Sequence, residues 1–164
     1  MKQTAFITFS VLAIGFLLYL NFFSRTKQGF SHSAVFTDKA PKPIGPYSQA
    51  IFTGNTLFVS GQVAIDPKTG ILDTSGIENE TKRVLQNILA ILDTVKMDMK
   101  SIVKTTVYLT DLSEFKTMNT VYENFLSPYC VTKEGVKNFP ARETVQVAAL
   151  PKGAHIEISV IAVK

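Results

Sequence analysis

The spacing of hydrophobic and polar residues divides the chain into three parts. Residues 1–28 are mainly apolar, residues 29–43 form a polar linker, and residues 44–164 have the mixed pattern of a folded domain. In that domain, alternating or β-branched runs predict strands, and apolar residues every three or four positions predict helices. The predicted strands are 47–53, 56–65, 102–110, 143–149 and 155–163, and the predicted helices are 76–96 and 115–125.

The order of these elements, β-β-α-β-α-β-β, predicts an α+β fold. Two helices would pack on one face of a mixed, mostly antiparallel sheet. Capping-box spacing at 75–78 and at 111–114 supports the start of each helix. Along 155–163 both alternating sets of side chains are partly apolar. We therefore expect the second face of the sheet to meet another subunit.

The apolar run near the N-terminus predicts a membrane anchor. Residues 5–23 form 19 mainly apolar positions, and at about 1.5 Å per residue such a helix spans roughly the hydrocarbon layer of a bilayer. A secretory signal would have a shorter apolar core followed by small residues. The positive charges on the two sides are nearly balanced, so the side of the membrane stays open. Export after cleavage and a cytoplasmic protein with a misassigned start are the alternatives.

The net charge of the chain belongs largely to the flanks of this run. When Lys2, Arg25 and Lys27 are left out, 14 basic residues face 13 acidic ones, and the net charge of +4 falls to +1. A domain so close to neutral has no electrostatic footprint for nucleic acid. The single cysteine, Cys130, excludes an intramolecular disulfide. Neither histidine has the spacing of a metal ligand, so no metal site is expected.

An arginine and a glutamate stand out because both fall in otherwise apolar strand patterns. Arg142 follows Phe139-Pro140-Ala141, where the proline stiffens the chain just before the strand. A rigid guanidinium offers parallel donors that fit a carboxylate. Glu157 lies within the last predicted strand, where a carboxylate either pairs with a cation or has a raised pKa suited to acid–base catalysis. The two residues indicate a site that binds an anion and moves a proton; a structural ion pair, or exposure of Glu157 on an edge strand, is the alternative.

Two further residues are candidates for the same site. Tyr47 follows the Gly45-Pro46 turn, which would aim its phenol either into a cleft or over the core. Gly61 interrupts the second predicted strand, which indicates a bulge or a close backbone approach. A backbone N–H at such a bulge is able to bind an anion.

Five short segments occur in an order that resembles the RidA family, also called YjgF/YER057c/UK114. The segments are Ile-Gly-Pro-Tyr-Ser-Gln-Ala at 44–50, Ser-Gly-Gln at 60–62, Val-Lys-Thr-Thr-Val-Tyr-Leu-Thr-Asp at 103–111, Phe-Pro-Ala-Arg at 139–142 and Ile-Glu-Ile at 156–158. No one segment is decisive, but five in order are specific. The resemblance covers residues 40–164.

The resemblance implies a chorismate-mutase-like homotrimer whose sites lie in the clefts between subunits. It also implies 2-iminobutanoate/2-iminopropanoate deaminase activity, in which reactive enamines and imines are hydrolysed to 2-keto acids and ammonia without a cofactor. By this resemblance Arg142 binds the substrate carboxylate, Tyr47 and Glu157 position and activate water, and Gly61 and Thr144 line the pocket.

Three features depart from the family pattern. Thr144 stands where many members have cysteine, Ser159 stands where many have a second glutamate, and the predicted loop at 127–138 is longer than usual, which leaves the substrate size open. Two other functions remain as alternatives: non-catalytic binding of small 2-keto acids, and RNA cleavage or translation inhibition. The near-neutral charge of the domain disfavours the RNA alternative.

Overall fold

The computed structural model describes Phe16 and residues 31–164, and its elements follow the predicted order with one strand added at the start. The strands are β1 (His32–Val35), β2 (Ala50–Thr53), β3 (Thr56–Gln62), β4 (Ile102–Leu109), β5 (Ala141–Gln146) and β6 (Ile156–Val163), and the helices are α1 (Ile77–Thr94) and α2 (Phe115–Cys130). Residues 31–164 form a sheet of order β1-β2-β3-β6-β4-β5, in which β4 and β5 are parallel and the other pairs antiparallel. The predicted α+β fold, with a mixed and mostly antiparallel sheet, is confirmed.

The core lies between the two helices and one face of the sheet. Alternate residues of β6, beginning at Ile156, point into it, and so do residues of α1 at helical spacing. Burial of one such Leu or Ile side chain stabilises the fold by roughly 1.5–3 kcal/mol. Fully buried members are Leu57, Leu85, Ile88, Ile91, Leu92, Met118, Leu126, Ile156 and Ile158.

The other face of the sheet carries apolar side chains that the chain itself leaves exposed. Phe58 on β3 and Val145 on β5 are 46% and 42% exposed. Exposed apolar surface of this kind is typical of a surface that meets a partner. That a second subunit covers it stays a prediction.

The added strand, β1, falls within the predicted linker at 29–43. Its first three residues are exposed and only Val35 is buried, as expected of an edge strand. The sequence of this strand therefore lacks the apolar alternation by which a strand is predicted. The buried side chain of Gln49 fixes the segment that follows, since its amide donates to Thr37, Ala40 and Pro41 carbonyl oxygens. Part of the linker is therefore integral to the folded unit.

The capping box predicted at 75–78 is not formed. The carboxylate of Asp73 accepts hydrogen bonds from both the backbone N–H and the hydroxyl of Ser75, and the Ser75 hydroxyl accepts from the side-chain amide of Asn79 and not from a backbone N–H of the helix. Gly76, at φ 114°, is the N-cap residue and makes no side-chain capping bond. At 111–114, Asp111 accepts from the Ser113 N–H at 2.8 Å and caps a short 3-10 turn that leads into α2.

The predicted loop at 127–138 is also more ordered than its sequence indicated. Helix α2 continues through Pro128 to Cys130, and the chain then folds back in a short hairpin. An isolated bridge between Val131 and Lys137 closes this hairpin, and the Asn138 N–H donates to the Cys130 carbonyl at 2.7 Å. The hairpin therefore returns the chain to the end of α2 before β5 begins.

The prediction of a membrane-anchored protein was wrong. Across Phe16 and residues 31–164, no helix combines the length and the apolar character that a bilayer crossing needs. The apolar run at residues 5–23, on which the anchor and the N-terminal hydrophobic helix were predicted, lies outside the described residues apart from Phe16. A long apolar run is necessary for a membrane span, but by itself it does not establish one.

Candidate active site

Strand β5 and helix α2 hold Arg142 between them. Arg142 lies opposite Thr105 in the parallel β4–β5 pair, on the face covered by α2. Its Nη2 donates to Oδ1 of Asn119 at 2.5 Å, and its guanidinium carbon lies 4.7 Å from the centre of the Tyr122 ring. The guanidinium carbon also lies 5.9 Å from the centre of the Phe115 ring. One hydrogen bond and two cation–π contacts, the closer of them to Tyr122, therefore restrain the guanidinium.

Tyr122 is itself fixed beneath this arginine. Its side chain is 5% exposed, and its phenol oxygen lies 3.0 Å from Oγ1 of Thr105. Burial raises the pKa of the Tyr122 phenol, so the ring stays neutral at ordinary pH. The ring is thus a rigid support for Arg142.

The structural ion pair considered for Arg142 is not formed. Glu143 pairs instead with Lys104 and Thr106 on the opposite face of the sheet. None of the ion pairs within residues 31–164 involves Arg142. The guanidinium borders a cavity of about 480 Å³ with donors available to an anion. The cavity is lined by Asn119, Tyr122, Glu123, Lys137, Phe139, Pro140 and Arg142.

Thr144 lies two residues after Arg142 and so shares its face of β5. Its hydroxyl is buried and has no hydrogen-bond partner within residues 31–164. Buried polar groups are normally paired, so an orphaned hydroxyl on the same strand face as Arg142 needs an explanation. Thr144 is not, however, among the residues that line the Arg142 cavity.

Glu157 and Tyr47 border a second cavity, of about 220 Å³. Within residues 31–164 the side-chain carboxylate of Glu157 makes no hydrogen bond or ion pair. Burial raises the pKa of this carboxyl. The Tyr47 phenol is close by and accepts a hydrogen bond from the Ile44 N–H at 3.2 Å. The cavity is lined by Ile44, Tyr47, Ser60, Gly61, Val63, Pro151 and Glu157.

Gly61 makes room for this carboxylate. It lies in the irregular part of the β3–β6 pair between Val59 and Gln62, so the predicted bulge is confirmed. A Cβ at position 61 would lie 2.6 Å from Cδ of Glu157 and closer still to Oε1. The glycine is therefore required by the close approach of Glu157, not by an unusual backbone angle.

The two cavities do not meet within one chain. On β4, Thr105 lies opposite Arg142 and Tyr108 lies opposite Glu157. These β4 positions are three residues apart, so their side chains point to opposite faces of the sheet. From a strand spacing of about 4.8 Å and a rise of about 3.3 Å per residue, the Cα atoms of Arg142 and Glu157 lie roughly 14 Å apart. One chain thus holds an anion-binding half on one face and a carboxylate half on the other.

Comparison with known proteins identifies the family. A family model described as Endoribonuclease L-PSP matches residues 37–164. The chain belongs to the RidA family. A RutC family protein of Pyrococcus abyssi is 48% identical over 130 residues, covering 79% of this chain and 95% of that protein. The human 2-iminobutanoate/2-iminopropanoate deaminase is 42% identical, over 79% of this chain and 88% of the enzyme.

Solved RidA-family structures have the same fold. The structure of Escherichia coli TdcF with bound serine superposes with a TM-score of 0.73 at 36% identity, covering 80% of this chain and 98% of that one. The YjgF-like fold expected from the sequence is therefore confirmed for residues 31–164.

Sequence reasoning missed three residues that contact Arg142. Phe115, Asn119 and Tyr122 were not named as candidates for the site, although each contacts Arg142. Their spacing of four and three residues along α2 places them on one helical face, which is the available sequence signal. That this face meets β5 depends on the sheet order and is not visible from local spacing. Within the described residues, no group of three or more His, Cys, Asp or Glu side chains is arranged to hold a metal ion.

Proposed function

We propose that this chain hydrolyses reactive enamines and imines, namely 2-aminoacrylate/2-iminopropanoate and 2-iminobutanoate, to 2-keto acids and ammonia. The observation that carries the proposal is the pair of incomplete half-sites. Arg142 has no anion, and Glu157 has neither a cation nor a hydrogen-bond donor, within residues 31–164. In a homotrimer, the Arg142 half of one subunit would face the Glu157 half of the next.

Arg142 would bind the substrate through its carboxylate. The guanidinium is restrained by Asn119 and Tyr122, so little conformational entropy is lost when two parallel N–H donors bind the anion. The Thr144 hydroxyl, orphaned within the described chain, would donate to the same carboxylate. The imine carbon, adjacent to the carboxylate, is then fixed relative to the protein.

Glu157 would move the protons of the hydrolysis. As water adds to the imine carbon, the new C–O bond forms, the C=N π electrons become a lone pair on nitrogen, and Glu157 accepts a proton from the water. Glu157 returns that proton to the nitrogen, which gives the neutral carbinolamine. In the second step the hydroxyl proton of the carbinolamine passes through Glu157 to the nitrogen as the C–N bond breaks, so that the C=O bond forms and ammonia leaves. Tyr47 would orient the water. A carboxyl whose pKa is raised by burial is suited to taking and returning a proton near neutral pH.

The relatives support this chemistry. The human relative is named 2-iminobutanoate/2-iminopropanoate deaminase, and the TdcF structure holds serine, an amino acid with the carboxylate and nitrogen substituents of such substrates. Phe58 and Val145, exposed on the open sheet face, provide apolar surface for a subunit contact.

The test is keto-acid release from enzymatically generated 2-aminoacrylate and 2-iminobutanoate. Arg142→Ala and Glu157→Gln should each lower kcat/KM by about 100-fold or more, because each removes one half of the site. Arg83→Ala, at a half-buried arginine paired with Asp66 and outside both cavities, is the matched control and should leave the rate unchanged. Unaccelerated keto-acid release by the wild type, or an unaffected Arg142→Ala variant, would refute the proposal. Intact keto-acid binding without turnover would favour a binding module instead.

Mixing the two inactive variants tests whether two subunits share a site. After unfolding and joint refolding in equal amounts, a random mixture should place a wild-type Arg142 opposite a wild-type Glu157 in about a quarter of the sites. About a quarter of the wild-type activity should therefore return. No recovery, from trimers shown to be mixed by mass spectrometry, would mean that the two residues do not act in one site across subunits.

A further inference from the structure

The cavity that contains Arg142 also contains a second cation. Lys137 lines it together with Glu123, and Lys137 Nζ lies 2.8 Å from Oε1 of Glu123. Nothing in the proposed hydrolysis of small imines uses this pair. A monocarboxylic substrate held at Arg142 would leave this end of the 480 Å³ cavity unfilled.

Helix α2 sets the distance between the two cations. Asn119 holds Arg142, and Glu123, four residues further along the helix, holds Lys137. Side chains four residues apart lie on one helical face with their Cβ atoms about 6 Å apart. The guanidinium and the ammonium are therefore presented along one wall, separated by roughly one helical turn.

The hairpin after α2 fixes the backbone of Lys137. The Val131–Lys137 bridge closes it, and the Thr132 N–H donates to the Val136 carbonyl at 2.9 Å. The following N–H, of Asn138, donates to the Cys130 carbonyl at 2.7 Å. The backbone hydrogen bonds of this hairpin therefore hold Lys137 beside the cavity.

The ion pair itself is easily exchanged. The side chains of Lys137 and Glu123 are 63% and 54% exposed, and surface pairs of this kind contribute little to stability. The hydrogen bond and charge of Lys137 lower the pKa of Glu123, so Glu123 is the anion that a ligand carboxylate would replace. A cationic ligand group, in contrast, would meet two cations and one anion.

We infer that this site accepts 2-imino acids that carry a second carboxylate at the end of a four- or five-carbon chain. The inference rests on the proposed function. Arg142 binds the carboxylate next to the imine, and Lys137 binds the distal carboxylate in place of Glu123. The terminal carboxyl carbons of an extended five-carbon dicarboxylate lie roughly 5 Å apart at C–C bonds of about 1.5 Å, which suits the spacing of the two cations. Lys137 is therefore the residue that extends the substrate range to longer acids.

The experiment compares kcat/KM for a dicarboxylic imine and for 2-iminopropanoate. Oxidation of glutamate and of alanine in the assay mixture generates the imines of 2-oxoglutarate and of pyruvate. The release of keto acid is then followed and corrected for the ammonia present. Lys137→Gln should lower the dicarboxylate-to-monocarboxylate ratio about tenfold, because one charge-assisted hydrogen bond is lost. Glu123→Gln should raise the ratio, since the competing anion is removed. Lys133→Gln, at an exposed lysine in the same hairpin but outside the cavity lining, should leave it unchanged.

Binding provides a readout that does not depend on turnover. In calorimetry, Lys137→Gln should weaken 2-oxoglutarate about tenfold and leave pyruvate unaffected. An unchanged ratio and unchanged 2-oxoglutarate binding in Lys137→Gln would show that the pair only fastens the hairpin to α2, and would overturn the inference. Arg142→Ala separates this failure from that of the proposed function, because it should abolish turnover of both substrates.

Discussion

The two half-sites differ in how the chain holds its functional group. Arg142 is restrained by Asn119 and by the ring of Tyr122, so its orientation is determined inside the monomer. Glu157 has no such partner within residues 31–164, and it is accommodated by the missing side chain of Gly61. Contacts with neighbouring side chains position Arg142, whereas Glu157 occupies the space left by the missing side chain of Gly61.

This difference follows from the face of the sheet on which each residue lies. Arg142 lies on the helix-covered face, where α2 supplies partners, and Glu157 lies on the open face, where neither helix of residues 31–164 packs. Contacts within the described chain therefore orient the group proposed to bind the anion, and they leave the group proposed to transfer the proton without a partner. Substitutions in the two halves should accordingly fail in different ways.

Among variants that leave both Arg142 and Glu157 in place, the largest effect is expected from Gly61→Ala. The new Cβ would lie 2.6 Å from Cδ of Glu157, so the carboxylate must move away from its position. We expect a loss of about 100-fold in kcat, because general acid–base catalysis depends on placement, with little change in the unfolding temperature. Steady-state kinetics and thermal unfolding measure the two quantities.

A double variant controls for other effects of the added methyl. In a Glu157→Ala background the clash is absent, and Gly61→Ala should then cost almost nothing further. If Gly61→Ala costs the same in both backgrounds, the glycine serves the backbone of the bulge and not the placement of Glu157.

A smaller effect is expected from Tyr122→Leu in the other half. Loss of the ring removes the support beneath Arg142, and KM for 2-iminopropanoate should rise about tenfold with kcat less affected. Tyr122→Phe keeps the ring and loses only the bond to Thr105, so its KM should stay within about twofold of the wild type while its stability falls by about 1 kcal/mol. Met118→Ala, at another buried residue of α2, is the stability control. Equal KM values for the Leu and Phe variants would show that the ring has no positioning role.

The sequence predicted the elements of the fold better than it predicted the contacts of the site. Alternation along 155–163 correctly separated Ile156 and Ile158 from Glu157, because period-two spacing reports the face of a strand directly. The bulge at Gly61 was also visible, since a glycine inside a strand has few other causes. Strand β1 was missed because an exposed edge strand needs no apolar pattern.

The position of Arg142 relative to Glu157 required the sheet order. Residues 142 and 157 belong to strands that are consecutive in sequence, yet β4 lies between them in the sheet. Their register against β4, opposite Thr105 and Tyr108, places the two side chains on opposite faces. The capping box at 75–78 failed for a different reason: Asp73, just outside the motif, competes for Ser75. A rule based on residue spacing includes neither the pairing of strands distant in sequence nor the competition of a nearby side chain for a capping residue.

The smallest predicted effect is on the free energy of unfolding. It has opposite signs for Glu157, whose pKa is raised by burial, and for Glu123, whose pKa is lowered by Lys137. Burial raises the pKa of Glu157 above its value in the unfolded chain. In acid the carboxyl is protonated in both the folded and the unfolded state. As the pH rises from the unfolded pKa towards the raised folded pKa, the carboxyl ionises first in the unfolded state. The folded state therefore becomes less stable relative to the unfolded state. Glu157→Gln should therefore be more stable than the wild type near neutral pH, with the difference vanishing in acid. Glu123, whose pKa is lowered by Lys137, should show the opposite sign: Glu123→Gln should be less stable above the unfolded pKa, with the deficit lost as the pH falls.

Denaturant unfolding from about pH 4 to about pH 8, at one protein concentration, measures both differences. A Glu157→Gln variant that is no more stable than the wild type would mean that the carboxylate has gained a cation or donors across the subunit contact. In that case Glu157 would be positioned by contacts after all, supplied by a second chain, and the contrast between the two half-sites would hold only for the isolated monomer.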